Sequence, residues 1–441
     1  MPQKTKIIFI IVFITVGAIV LGVYFYNTKN NTNTDGSSTS LVQKFNPFGT
    51  STKNPNIIPS TTTTGEGDEI TNPQVTVDNG TRLNKITDFA VAGAVFFEDI
   101  RPLPPKDPSV EVTVPVVTPV VGTKKVIKKV TPVTTEPAFE IVPALRYVEK
   151  ATGHVYQMYL DTKVIGKISN STIPSVYETI FDGKASSIIY RYPSSDNKSI
   201  TSFLASLGGK SSAFLSADIL DISLSPDKSS FFSLIKNTKG VIGVTKSFDE
   251  TKSNQVFTSS FSEWLPQWVT DQNIYLTTKP SYMVDGNIFS LNIKNGILSK
   301  IFGGIPGLTT LSNNDGTSIL YGASLDKGPT LNIFNIKDHT SIDLGIYGLP
   351  EKCIWSNDNI NIYCAIPNTI IGTQYPDYWY QGLISFDDRF VKVNTNTKEV
   401  VTLANSSNEN PVDGIKLFLS KEENKLFFTN KKDYKLWSLD L

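Results

Sequence analysis

Ser225-Pro226-Asp227-Lys228 separates two short apolar runs, and the same punctuation returns along the chain. Phe181-Asp182-Gly183 stands before it; Thr270-Asp271-Gln272-Asn273, Asn314-Asp315-Gly316 and Ser356-Asn357-Asp358-Asn359 follow. The aspartates of these five turns, Asp182, Asp227, Asp271, Asp315 and Asp358, are spaced by 45, 44, 44 and 43 residues. Asp, Asn and Gly suit tight hairpins because they tolerate positive φ and hydrogen-bond to their own backbone. A unit of about 40 to 45 residues with four strands is the mark of a propeller blade. The expected fold class is therefore all-β, a β-propeller of four-stranded blades.

Within one unit the expected strands are Trp264 to Val269, Asn273 to Thr278, Asn287 to Asn292 and Ile297 to Ile301. In the next they are Leu308 to Leu311, Ser318 to Gly322, Thr330 to Asn335 and Thr340 to Leu344. The final unit, from Gly414, holds only three strands before Leu441. An open ring would leave sheet edges unpaired. Leu83 to Thr87 is the natural fourth strand, so the two ends of the folded region should close one blade together. The first blade would then use Val91 to Phe97, Leu145 to Lys150, His154 to Leu160 and Lys163 to Ser169. The count comes to seven blades, with six and eight as alternatives.

Composition agrees with strands. Aromatic residues are 11% of the 441, and Ile, Val, Thr, Tyr and Phe outweigh the helix formers Ala and Met. Lys+Arg and Asp+Glu are both 41, so the formal net charge is zero. That excludes nucleic acid as the expected partner, because its binding rests on clustered cations.

Upstream of the repeat, Ile7 to Tyr26 is apolar except for Thr15, Gly17 and Gly22. Such a run of about 20 residues spans roughly 30 Å, the thickness of a bilayer core. Lys4 and Lys6 precede it, and Tyr24, Phe25 and Tyr26 form a belt at its far end. The expected topology is single-pass in the cytoplasmic membrane, with residues 1–6 inside and the remainder outside. No small-x-small cleavage site follows the run, as a signal peptide would need. Residues 27–80, rich in Asn, Thr, Ser and Gly, read as a disordered linker. Asp99 to Pro137, alternating Pro, Val, Thr and Lys, reads as a low-complexity insertion in the propeller at 81–441.

The Ser-Pro-Asp-type turn followed by an apolar strand resembles the blades of TolB-like and WD40-like propellers, over roughly Arg82 to Leu441. The Gly-His and Trp-Asp pairs of true WD40 blades do not recur here. Val91-Ala92-Gly93-Ala94, Arg146-Tyr147-Val148-Glu149, Thr152-Gly153-His154-Val155-Tyr156 and Tyr375-Pro376-Asp377-Tyr378-Trp379-Tyr380-Gln381-Gly382 are similar to segments of single-pass, membrane-anchored propeller proteins of candidate-phylum bacteria. That resemblance implies the fold and the anchor, and no activity.

Signals for chemistry are sparse. His154 and His339 fall in different units, which gives a Ser-His-Asp triad no footing. No Gly-x-Ser-x-Gly elbow or phosphate loop is present. Asp377, Asp387 and Asp388 suit a hard cation by type, but without calcium-loop spacing they read as solvated loop carboxylates. No catalytic residue, metal ligand or cofactor is expected. Cys353 and Cys364 flank the turn Asp358-Asn359 symmetrically, five residues on either side. In a hairpin with that turn they face each other, and outside the membrane they should form a structural disulfide.

Pro367 to Asp387 delays the blade that carries the cysteines, and it holds Tyr375, Tyr378, Trp379 and Tyr380. This insertion joins the second and third strands, so it belongs to the same face as the loops near Trp264, Tyr282, Arg191 and Tyr192. Trp, Tyr and Arg are typical recognition anchors. The expected function is a non-enzymatic binding or scaffold module of the cell envelope, taking a protein, peptide or glycan on this aromatic face. The competing expectation for the rings is that they pack on the blade and plug the channel. The competing function is a carbohydrate-active enzyme, a glycoside hydrolase or lyase, using carboxylates at the channel mouth.

Overall fold

The computed structural model describes residues 82–103, 139–209, 211–325, 328–406 and 411–441. Their strands form seven four-stranded antiparallel sheets, the blades of a propeller. The first contains Val91–Pro102, Phe139–Glu149, Val155–Tyr159 and Ile165–Ser169. The second runs from Glu178–Phe181 to Ser212–Phe214, the third from Ile219–Leu224 to Ser253–Ser259, and the fourth from Trp264–Trp268 to Leu298–Pro306. The fifth runs from Thr309–Ser312 to Thr340–Tyr347 and the sixth from Cys353–Trp355 to Val400–Asn405. The seventh joins Gly414–Leu419, Lys425–Asn430 and Leu436–Asp440 to Leu83–Lys85.

Sheets meet through their first strands: Val91–Pro102 touches Glu178–Phe181, Ile219–Leu224 touches Trp264–Trp268, and Val91–Pro102 also touches Gly414–Leu419 of the seventh sheet. The first strands therefore line the axis and the ring is closed. Second strands are covered on both faces, and they read as near-continuous apolar runs, as in Ser230–Asn237 and Asn361–Pro367. Outermost strands such as Ile165–Ser169 are mostly exposed.

Seven apolar cores each sit between two neighbouring sheets. Phe232 and Leu234 of the third meet Trp264 and Ile274 of the fourth; Leu320 and Leu331 of the fifth meet Trp355 and Ile362 of the sixth. An eighth core lies under the insertion of the sixth sheet.

The repeated aspartate sits between the first and second strands of sheets two to six, all on one face, here the turn face. Its chemistry is visible at Asp227, whose carboxylate accepts from Ser225 Oγ at 2.6 Å and from the Ser229 N–H at 3.0 Å. In three of these turns the next residue takes the left-handed backbone: φ is 55° at Lys228, 72° at Gly316 and 57° at Asn359. Adjacent turns also hold each other. Gly183 N–H donates to Lys228 O at 3.0 Å, and Asn314 N–H to Asn359 Oδ1 at 2.9 Å.

The ring closes as the strand count requires. Leu83, Asn84 and Lys85 pair antiparallel with Leu439, Ser438 and Trp437. The strand stops at Lys85, short of the expected Thr87, but Ile86 N–H still donates to Leu436 O at 2.8 Å and Thr87 Oγ1 accepts from Leu436 N–H at 3.0 Å. One boundary is corrected. The insertion expected from Asp99 starts later, because Asp99 to Pro102 continue the hairpin and pair with Val142 to Phe139. The remainder of that insertion, the apolar run 7–26 and the linker 27–80 lie outside the described residues. Among the described residues no helix is long and apolar enough to cross a membrane.

Cys353 and Cys364 are direct partners in the ladder and form a disulfide, with Cα atoms 4.0 Å apart. Both sulfurs sit in the core between the fifth and sixth sheets, beside Leu344, Trp355 and Val391. Cross-linking so short a loop restricts the unfolded chain by about 2 to 3 kcal/mol. The Cys353→Ala/Cys364→Ala protein is expected to lose at least that amount in denaturant unfolding. Two free thiols in the native wild-type protein by mass spectrometry would contradict the pairing.

Candidate functional site

Loops joining second to third strands, and loops joining one sheet to the next, share the face opposite the turns. The insertion between Asn361–Pro367 and Asp388–Asn394 covers part of it. One helical turn, Asp377–Tyr380, stands at its middle. Tyr375, Trp379 and Phe386 point inward and pack with Leu349, Ile370 and Ile415. Phe386 stacks between the other two rings, with centroids 5.8 Å from Tyr375 and 6.2 Å from Trp379.

A buried charge cluster lies under these rings. Lys352, with no exposed side chain, donates from Nζ to Asp388 Oδ2 at 2.8 Å and to Asp413, both equally buried. Asp413 also accepts from Trp379 Nε1 at 3.0 Å, Ser385 Oγ at 3.1 Å and the Phe386 N–H at 3.1 Å. Lys431 reaches over from the seventh sheet, donating to Trp379 O with its Nζ 4.0 Å from the Trp379 ring centroid. Burial raises Asp413, but Lys352 outweighs it and holds the carboxyl below its usual range. Asp388 is pushed up to about 7, by burial and by the negative charge of Asp413, against Lys352. Its Oδ1 is buried without a hydrogen-bond partner, which favours the proton. Burial brings Lys431 down to about 8. No solvent reaches Lys352, Asp388 or Asp413, so the cluster works as a root: it ties the insertion to the sixth and seventh sheets.

The aromatic anchors expected from sequence are placed as follows. Tyr375 and Trp379 are buried, 0% and 3% exposed, and the expectation of exposed rings is corrected for them: Trp379 spends its N–H on Asp413 and its face on Lys431. Tyr378 and Tyr380 are half-buried, the latter bonded to Glu351. Trp264 is 8% exposed in the core between the third and fourth sheets, where its Nε1 donates to Phe261 O at 2.9 Å; it does not join the insertion. Arg191 is 5% exposed; it bonds Glu178 within the second sheet at 3.0 Å and braces that sheet to the third through the carbonyls of Ile219 and Leu220 at 3.1 Å. Half-buried Tyr282 does meet the insertion: its N–H and Ser281 Oγ both donate to the Asp377 carboxylate.

That contact builds a surface which the aromatic count did not indicate. Met283 and Val284, beside Tyr282, are 64% and 56% exposed, and Ile371 and Leu383 of the insertion are 63% and 66% exposed. The rings form the support and the aliphatic side chains form the outside.

A second constellation stands at the channel mouth. Glu178 begins the first strand of the second sheet and Asp221 lies in the first strand of the third. Glu178 binds Arg191 at 3.0 Å and Lys416, from the seventh sheet, at 2.9 Å. The Lys416 bridge therefore links sheets that flank the first on either side. Burial would raise Glu178, but Lys416 and Arg191 hold it at about 2. Asp221 is pushed up to about 6, by burial and then by Glu178. Two neighbouring carboxyls thus have proton affinities driven apart, Glu178 by its ion pairs and Asp221 by burial. Sequence reading missed them, although the blade period marks them: acidic residues recur in consecutive innermost strands. Among the described residues, no group of three or more His, Cys, Asp or Glu could hold a metal ion.

Removing Lys352 would take away the ammonium that bonds both buried acids, leaving the charge of Lys431 alone to compensate Asp413. Lys352→Met is expected to cost about 3 to 5 kcal/mol in denaturant unfolding, the range for a broken buried pair. Asp221 gives the opposite sign. Its folded-state pKa is raised, so the unfolded chain ionises first and stability falls as pH rises from about 4 to about 6. Asp221→Asn keeps an acceptor for the Ile222 N–H and should remove that fall. The variant is expected to exceed wild type by roughly 1 to 2 kcal/mol at pH 7, allowing for partial solvent screening, and to match it below pH 4.

No protein-family model and no curated protein matches the sequence. Solved structures do match. An oligogalacturonate lyase in complex with manganese is 9% identical with a TM-score of 0.50, covering 68% of this chain and 85% of that one. An oligogalacturonate lyase from Vibrio parahaemolyticus is 8% identical with a TM-score of 0.46, covering 80% and 98%. TolB from Acinetobacter baumannii is 12% identical with a TM-score of 0.38, covering 68% and 77%. At these identities the likeness is one of fold, a β-propeller.

Proposed function

We propose that this chain is a membrane-anchored, extracytoplasmic binding module of the cell envelope, and that a protein partner docks on the surface made by the insertion and the Tyr282 loop. The observation that carries the reading is the exposure of Ile371, Leu383, Met283 and Val284 on one rooted platform. Exposed apolar side chains on two segments held together through Asp377 suit an interaction site. A contact surface whose supports are already ordered loses little entropy on binding. Aliphatic side chains suit a protein surface better than a glycan, which prefers open aromatic faces, and the rings here are turned inward. The apolar run Ile7 to Tyr26 supplies the anchor, and its lysine flank puts the propeller outside.

A second reading draws on Glu178 and Asp221, whose split proton affinities suit a carbohydrate-active enzyme working at the channel mouth. In that case Asp221→Asn abolishes glycan cleavage while leaving the docking surface intact.

The docking surface is tested by placing a photocrosslinking side chain at position 383 or 283, and at 227 on the turn face, in intact cells. Discrete protein adducts at 383 and 283 but not at 227 are expected. Identical adducts at all three positions, or none at 383 and 283, reject the surface. Protease added to spheroplasts of the same cells should release the propeller, and its protection would overturn the topology.

A further inference from the structure

We propose that the cleft at the channel mouth between the seventh, first and second sheets is a binding site for a small carboxylate, held between the ammonium groups of Lys150 and Lys416. The cleft shares Ile415 with the core under the insertion, but it uses none of the exposed side chains of the insertion surface.

The cleft is walled by Lys150, Tyr177, Lys416, Thr429 and Tyr434. Lys150 follows the second strand of the first sheet. Its Nζ stands 4.1 Å from the Tyr434 ring centroid and 5.8 Å from that of Tyr177, and donates to Tyr177 O at 3.3 Å. Among the described residues it pairs with no carboxylate. Burial, then the Lys416 charge, brings it down to about 8, so it remains mostly cationic at neutral pH. A half-buried ammonium held by ring faces and one carbonyl, in a cleft open to solvent, has room for an anion that completes its coordination.

Lys416 is the exposed half of the grip. It is 45% exposed at the side chain and meets Glu178 at 2.9 Å. The ladder slips between Ile415 and Phe418, and Lys416 adopts φ 52°. Tyr434 across the cleft is left-handed too, at φ 58°.

The charge count selects the ligand. Lys150, Lys416 and Arg191 contribute three positive charges; Glu178 and Asp221 contribute two negative ones. The remainder is a single positive charge, which a monoanion neutralises. A carboxylate entering beside Lys150 competes with Glu178 for Lys416, while Arg191 keeps Glu178 compensated. Protonation of Asp221 below about 6 adds one positive charge, and loss of the Lys150 proton above about 8 removes one.

The test is calorimetric titration of the full chain at pH 7 with four probes: trialanine with a free C-terminus, trialanine amide, lactate and inorganic phosphate. Binding of trialanine, lactate or both, with none of the amide, supports the site. Binding of trialanine alone assigns a peptide terminus, and binding of lactate alone assigns a free organic acid. Binding of the amide equal to the acid, tighter binding of phosphate, or no binding at all overturns it. Lys150→Gln should weaken the bound probe by about tenfold or more, the scale of a charge-assisted hydrogen bond, while Lys150→Arg stays within about threefold. Glu178→Gln should strengthen binding by freeing Lys416, which a merely structural role for the bridge does not anticipate. Should that variant not fold, the wild-type profile serves: affinity must rise from pH 7 to pH 5.5, and a flat or falling profile overturns the proposal.

Discussion

The structure depends on the pairing of Leu83–Lys85 with Leu436–Asp440. Seven sheets packed face to face make a ring only if the last finds a partner for its free edge, and here that edge is covered by the other end of the folded region. The pairing also completes packing. Leu83 reaches the core between the sixth and seventh sheets beside Leu439, and Ile86 and Phe89 continue into the core between the seventh and first. Each of the seven inter-sheet cores is then buried on both sides.

The second constraint is local and concerns the insertion. A loop of this length gains no order from the repeat around it. It is ordered by Lys352, which stands between two carboxylates from different sheets, and by Trp379, which closes over them with both its N–H and its face. Burying such a cluster adds little net stability compared with an apolar equivalent. What it does here is register: the insertion can sit in one place only, because any other placement would leave charges unpaired.

The fold was legible because its determinants are local. At Asp227, Asp315 and Asp358 the turn aspartate accepts from the N–H two residues on and the following residue turns left-handed, so composition and period appear directly in the sequence. Cys353 and Cys364 were legible for the same reason, by symmetry about one turn. The aromatic insertion was legible as an interruption, not as an orientation. Whether Trp379 faces water or protein depends on Lys352, Asp413 and Lys431, which lie in three separate connecting segments and carry no pattern that links them to it. Trp264 and Arg191 were misjudged similarly, since the sequence places them near strand ends without showing which neighbouring sheet covers them. Glu178 and Asp221 were overlooked because charges in innermost strands look like ordinary polar alternation until the strands are arranged around an axis.

The closing strand also orders events in time. Thr87 and Leu436, joined by a hydrogen bond, are 349 residues apart in the chain. At synthesis rates of about 5 to 20 residues per second, Leu83–Lys85 waits roughly 20 to 70 seconds for its partner to be made. During that interval the first sheets can assemble in sequence, each covering the last, while the closing edge and Val91, Leu145 and Tyr147 of the first sheet stay open to water. The nascent chain is therefore most vulnerable to edge-to-edge association at its beginning, and it remains so until its final strand is released.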